Sequence, residues 1–168
     1  MPFPNTSGNE CWGTPLSLFD ALDERYAFQL DAAADETNHK CPLWLGPGGL
    51  THDALSMPHW GGLGPVWVNP PYSKRNGGIL PWLSKARDTG LAGDLCVVLV
   101  FARTDTRAWQ NVVHPSASDI YLIGGRVSFT PPQEYQGTAT TAGAPSAVVV
   151  FTAAPNERGA RYHTMARP

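Results

Sequence analysis

Eight consecutive apolar residues, LCVVLVFA from Leu95 to Ala102, constrain the fold of this chain more than any other feature. No polar residue interrupts the run, so both faces of an extended segment there must be covered, as in a central strand of a parallel sheet. The run falls well short of the roughly 18 residues that a membrane span needs. Its surroundings fit a sheet. FQLDAAA (28–34), VWVN (66–69), DIYLI (119–123), RVSF (126–129) and AVVVF (147–151) read as further short strands. TPLSLFDALDERY (14–26) reads as a helix, with Thr14 as N-cap, Pro15 at the first helical position and Leu18, Leu22 and Tyr26 at helical spacing. GILPWLSKARDTG (78–90) and TDTRAWQNVV (104–113) read as two more, the last capped by Thr104 or Asp105 and ended by Pro115. Strands alternating with helices, then RVSF and AVVVF as a late antiparallel pair, predict an α/β fold. Its central sheet is mostly parallel, with helices on both faces. Residues 131–145 read as an exposed loop and 152–168 as a polar, basic tail.

A length of 168 residues suits a single domain with a core over about 10–151, and leaves no segment for a separate target-recognition domain. Apolar residues make up 42% and charged residues 15%, which excludes disorder and coiled coils. Three widely spaced cysteines (Cys11, Cys41, Cys96) fit a reduced compartment, and residues 1–11 show no secretory pattern. A cytoplasmic protein with no membrane partner is expected. His39, Cys41, His52 and His59 lack zinc-ligand spacing, so no metal is expected. The net charge of −2 divides into −6 over residues 1–73 and +4 over residues 74–168. A basic half can meet phosphates even in an acidic protein; charges scattered on solvated faces are the plainer alternative.

In parallel α/β sheets ligands sit beyond the carboxyl ends of the strands. Asp31, Asn69 and Ala102-Arg103 each follow a strand and converge on one rim. VWVNPPYSK (66–74) is the stretch with the most chemistry. Its apolar residues bury a strand, and the polar group at the tip needs a partner or a substrate. Pro70 and Pro71 remove two N–H donors, which leaves acceptors: the Asn69 amide oxygen and the Pro70 carbonyl. Tyr72 adds a flat ring. Two acceptors and a stacking surface suit a planar aromatic amine, whose delocalised lone pair is a poor nucleophile until its hydrogens are engaged. A proline-rich turn after a strand is the alternative reading.

Asn69-Pro70-Pro71-Tyr72 after a buried strand resembles the catalytic motif of S-adenosylmethionine-dependent amino-methyltransferases that modify the exocyclic amine of adenine in DNA. Glutamine methyltransferases acting on proteins share it. CWGTPLSLFDAL (11–22), FQLDAAADETNHKC (28–41), THDALSMPHW (51–60), VWVNPPYSK, FARTDTRAW (101–109), GGRVSF (124–129) and APSAVVVF (144–151) follow in order. Together they resemble the compact phage DNA adenine methyltransferase family over about residues 10–151.

The resemblance implies a reduced Rossmann-like class I methyltransferase fold. It also implies S-adenosylmethionine as methyl donor, S-adenosylhomocysteine as product, no metal, and duplex DNA as partner with the target adenine flipped out. Asn69, Pro70, Pro71 and Tyr72 would be catalytic. Trp12, Thr14 and Pro15 would cover the cofactor, with Thr14 near its methionine end. Asp31 would accept from the cofactor's ammonium or ribose hydroxyls, while Ala32 and Ala33 allow close backbone approach. Asp53 would take the cofactor's adenine amine, and Asn69 would border the same pocket.

Only 38 residues separate Asp31 from Asn69, so one strand–helix unit of the larger enzymes must be reduced. Lys74, Arg75, Arg103 and Arg107 would contact phosphates. Asp105, with Thr104 and Thr106, would line the target pocket or cap a helix. Trp82, Trp109 and Phe129 read as core. Arg158, Arg161, His163 and Arg167 read as a solvated tail that could touch DNA. Methylation of RNA adenine or protein glutamine, and a catalytically silent DNA- or cofactor-binding module, are the alternative functions.

Overall fold

The structure, a computed structural model, describes residues 12–72, 77–133, 135–138 and 141–168. Its elements in chain order are α1 (Leu16–Tyr26), β1 (Leu30–Asp31), β2 (Leu43–Trp44), a 3₁₀ turn (Ala54–Ser56), β3 (Val66–Val68) and α2 (Leu80–Leu91). Then come β4 (Cys96–Phe101), a π-helical segment (Trp109–Val113) running into α3 (His114–Ser116), β5 (Asp119–Ile123), β6 (Ser146–Phe151) and β7 (Arg161–Met165). Among the described residues the strands form one seven-stranded sheet in the order β2-β1-β3-β4-β6-β5-β7. β2, β1, β3 and β4 pair in parallel, β6 runs antiparallel between β4 and β5, and β7 pairs parallel with β5. This is a mostly parallel, Rossmann-like α/β sheet with an antiparallel insertion.

Alternation along β4 divides the core. Val97 and Leu99 face Leu18, Phe19 and Leu22 of α1, together with Trp67, Val148 and Val150. Cys96, Val98 and Val100 face Trp82, Leu83 and Ala86 of α2, together with Trp109 and Val112 of the π segment. Helices therefore cover both faces, as the unbroken apolar run requires. Burial pushes the Cys96 thiol far above its ordinary range, as it does Cys41. Trp82 and Trp109 are buried as expected, and Phe129 packs against the α1 side from a half-buried position.

Several local expectations are corrected. RVSF (126–129) forms no strand. Val127 is buried, but both edges of β5 are already taken, by β6 and β7. The antiparallel pairs are instead β4–β6 and β5–β6. Residues 152–168 are not wholly a tail, since 161–165 form edge strand β7. There Arg161 and His163 both bond the Asp119 carboxylate, at 3.0 and 2.8 Å. Arg161 and His163 are thus committed to the sheet edge.

Thr14 does not cap α1. Pro15 occupies the N-cap with extended backbone (φ −55°, ψ 136°), and helix starts at Leu16. Pro115 does not end the third helix, which continues to Ser116. The His114 N–H bonds the Trp109 carbonyl five residues back, and that wider π register accommodates a proline lacking its own N–H. β2, only two residues long, had no sequence signal.

Candidate active site

The carboxyl ends of β1 and β3 lie side by side, because Asp31 pairs with Trp67 in the parallel ladder. A cavity of about 270 Å³ opens there, near the lower size of small-molecule sites, roughly 300 Å³. Its wall includes Asp31 and Ala33 from the β1 end, Trp67, Asn69 and Pro71 from the β3 end, and Trp12 and Thr14. Asp53 and His52 close another side, ahead of the 3₁₀ turn. Most expected cofactor residues therefore meet at one place. Pro15, Ala32, Pro70 and Tyr72 are not on the wall; Ala32 and Pro70 are buried.

Asp31 is 3% exposed. Its Oδ2 accepts from the Lys40 N–H at 3.0 Å and its Oδ1 from the Ala33 N–H at 3.3 Å. Burial outweighs these bonds and pushes the carboxyl up to about 6. Asp53 Oδ1 accepts from the Leu55 N–H at 2.9 Å and caps the 3₁₀ turn, so a turn role and a place on the wall coexist. Thr14 is buried, and its hydroxyl has no partner among the described residues. A buried, unsatisfied hydroxyl on a cavity wall is costly unless a ligand completes it.

Asn69 follows the last residue of β3. Its Nδ2 donates to the Trp12 carbonyl at 2.9 Å, which fixes the amide plane and leaves Oδ1 as the side chain's acceptor. The segment supplying that carbonyl is itself anchored. Gly13 and Thr130 exchange two backbone bonds of 2.8 Å, and the Trp12 ring meets Tyr135 edge-on at 4.9 Å. Tyr72 lies over Phe101, with ring centroids 4.8 Å apart and planes at 26°. Its hydroxyl accepts from the Phe101 N–H at 2.6 Å. Both contacts tie the segment after β3 to the end of β4. Burial drives the phenol far above its ordinary range, so it stays protonated.

A family model described as DNA N-6-adenine-methyltransferase (Dam) matches residues 4–165. The chain belongs to this family. The Dam match begins ahead of Trp12 and ends at the last residue of β7, so it takes in the whole sheet. A DNA N-6-adenine-methyltransferase of Escherichia phage T1 is 34% identical over 67 residues, which is 39% of this chain. That stretch spans 26% of the phage protein's own length.

Of the residues expected to meet nucleic acid in this Dam-family chain, Lys74 and Arg75 lie outside the described residues. Arg103, Asp105 and Arg107 are exposed beyond the carboxyl end of β4, on the rim that carries Asn69. The Arg103 guanidinium sits over Phe101, 5.7 Å from the ring centre.

Sequence reasoning missed Lys40, Asn38 and Gly46 on the cavity wall. Gly46 lies two residues past the end of β2, a strand without a sequence signal, so its role was not readable either. With φ at +135°, its added Cβ would lie 1.9 Å from the Ala34 carbonyl oxygen. Glycine lets the β2 exit approach the β1 exit. His39 stacks on Trp44 at 4.1 Å and bonds the Cys41 carbonyl, and His59 accepts from the Gly61 N–H. Among the described residues no three His, Cys, Asp or Glu side chains cluster as a metal site. No described helix is long and apolar enough to cross a membrane.

Proposed function

We propose that this chain transfers a methyl group from S-adenosylmethionine to the N6 amine of adenine in DNA. The observation that carries the reading is the fixed Asn69 amide on the wall of a cavity at the β1 and β3 carboxyl ends. Family membership supplies the substrate class.

The residues present fit the cofactor. The unpartnered Thr14 hydroxyl needs a ligand atom. Asp31 offers negative charge to a cationic ligand, and Gly46 lets the β2 exit pack closely against Ala34 beside it. When bound, S-adenosylmethionine supplies a sulfonium-activated methyl group. The protein therefore needs no nucleophile of its own: the amine nitrogen would displace S-adenosylhomocysteine in line as the N–CH3 bond forms and the S–CH3 bond breaks, and the extra proton on nitrogen would pass to solvent.

Asn69 Oδ1 and the Pro70 carbonyl accept the two amine hydrogens. This returns density to nitrogen and favours tetrahedral geometry at the moment of attack. The Trp12 carbonyl prevents the Asn69 amide from turning its donor toward the amine. Tyr72, held by Phe101, offers a ring for the displaced base. Arg103 and Arg107, with Lys74 and Arg75, contact phosphates and help offset the few kcal/mol that flipping a base out of the duplex costs.

Incubation with methyl-labelled cofactor and, separately, adenine-containing duplex DNA, RNA and a glutamine-bearing protein tests the reading. Label is expected in DNA. Label confined to RNA or protein, or incorporated into none of the three, would overturn it.

A further inference from the structure

Resting on that cofactor reading, we propose that Lys40 binds the α-carboxylate of the cofactor's amino-acid end, beside Asp31, so that the two side chains clamp a zwitterion. Three carboxylates, Asp31, Asp35 and Asp53, line the cavity, and Lys40 is the lysine or arginine on its described wall. Three negative groups alone would attract a sulfonium and an ammonium but repel a carboxylate. A ligand that carries both an ammonium and a carboxylate on one carbon needs an anion and a cation next to each other.

Asp31 and Lys40 meet that requirement. The Lys40 backbone N–H donates to Asp31 Oδ2 at 3.0 Å, so the lysine is held beside the aspartate carboxylate, and both residues line the same cavity. Its loop is ordered by its own polar groups. Asp35 Oδ1 accepts from the Thr37 N–H and hydroxyl, and Asn38 Oδ1 accepts from the Asp35 N–H, all within 2.8 Å. Lys40 is half-buried, where a charge-assisted bond is stronger than at an exposed position.

Calorimetric titration of the unsubstituted protein and of Lys40→Ala, Lys40→Gln and Lys40→Arg tests this without turnover. Two ligands are compared: S-adenosylhomocysteine and its decarboxylated analogue, which keeps nucleoside, sulfur and amine. The unsubstituted protein should bind S-adenosylhomocysteine about tenfold more tightly than the analogue, equivalent to about 1.4 kcal/mol. Lys40→Ala and Lys40→Gln should abolish that preference by weakening S-adenosylhomocysteine alone, and Lys40→Arg should keep most of it. Equal weakening of both ligands would make Lys40 structural, and no weakening would make it irrelevant; either result overturns the inference. If the unsubstituted protein binds neither ligand, the cofactor reading itself falls and takes this inference with it. Melting temperatures of the unliganded variants within about 2 °C of the parent confirm that the fold is retained.

Discussion

Asn69 at the tip of β3 donates its side-chain N–H to the carbonyl of Trp12, 57 residues earlier, across 2.9 Å. The bond joins two parts of the cavity that do not touch in sequence. One is the central strand end, and the other is the segment leading into α1. It also fixes the amide: the donor is engaged, and Oδ1 is left as the acceptor that the proposed mechanism offers to the amine.

Asn69→Ala removes that acceptor and frees the Trp12 carbonyl. Turnover should drop about 10²–10³-fold, the cost of losing one preorganised polar group, while cofactor affinity changes only a few-fold. Thr130→Pro deletes the N–H that bonds the Gly13 carbonyl and leaves Asn69 in place. It should lower kcat with little change in KM for DNA, and steady-state kinetics separate the two variants.

Tyr72→Phe is not a silent change, although sequence reasoning that credits only the ring would make it one. The hydroxyl accepts from the Phe101 N–H, and its loss leaves a donor without its partner at the end of the central strand. Stability should fall by about 1–3 kcal/mol, read from denaturant midpoints. Tyr72→Ala also removes the stacking surface, and productive base placement should weaken by a further 1–3 kcal/mol or so. A Tyr72→Phe midpoint equal to that of the parent would contradict the role given to this hydroxyl.

Asp31 should impose a pH dependence of known sign. Burial raises its folded-state carboxyl to about 6, above the unfolded value of about 3.9. The folded state therefore keeps the proton through a window in which the unfolded chain has released it. Asp31's contribution to stability rises as pH falls from 6 toward 4, and above 6 the penalty is complete, about 3 kcal/mol. A cationic cofactor binds the carboxylate form, so its affinity should decline about tenfold per unit below pH 6. Asp31→Asn should weaken cofactor binding and flatten that decline. Thermal shift across pH 5–8 measures both.

At the opposite edge, hydrogen bonding from Arg161 holds the Asp119 carboxyl below its ordinary range against some burial, with His163 adding to it. A depressed folded value gives stability that is present above the unfolded value and lost as pH falls through the folded one. Asp119→Asn should loosen β7, and faster trypsin cleavage at Arg158 and Arg161 would report it.

DNA affinity should fall steeply with salt despite the net charge of −2. Arg103→Ala and Arg107→Ala should each reduce the slope of log K against log salt by about 1. Fluorescence anisotropy over a salt series measures this, and a slope near zero for the parent would move the substrate away from nucleic acid.

The parts legible in the sequence were those where one force dominates. The apolar run of β4 and the apolar VWV of β3 announce full burial, and the polar residues that follow such strands fall on one rim. The illegible parts depend on competition between segments. Val127 and Phe129 read as a strand from their alternation and do pack inward, yet β7 takes the ladder position beside β5. β7 itself is polar and mostly exposed, and its pairing rests on Asp119, some 40 residues away. Thr14 reads as a cap by local rules, but Pro15 takes the cap and leaves the hydroxyl on the cavity wall. Lys40 gave no signal, because its value lies in a backbone contact with Asp31 that only the fold creates.

The most direct measurement is mass analysis of nucleosides digested from unmethylated duplex DNA after incubation with S-adenosylmethionine and either the parent protein or Asn69→Ala. N6-methyldeoxyadenosine should accumulate with the parent and fall about 10²–10³-fold with Asn69→Ala. Its absence with the parent, or undiminished formation with Asn69→Ala, would contradict adenine methylation through the Asn69 acceptor.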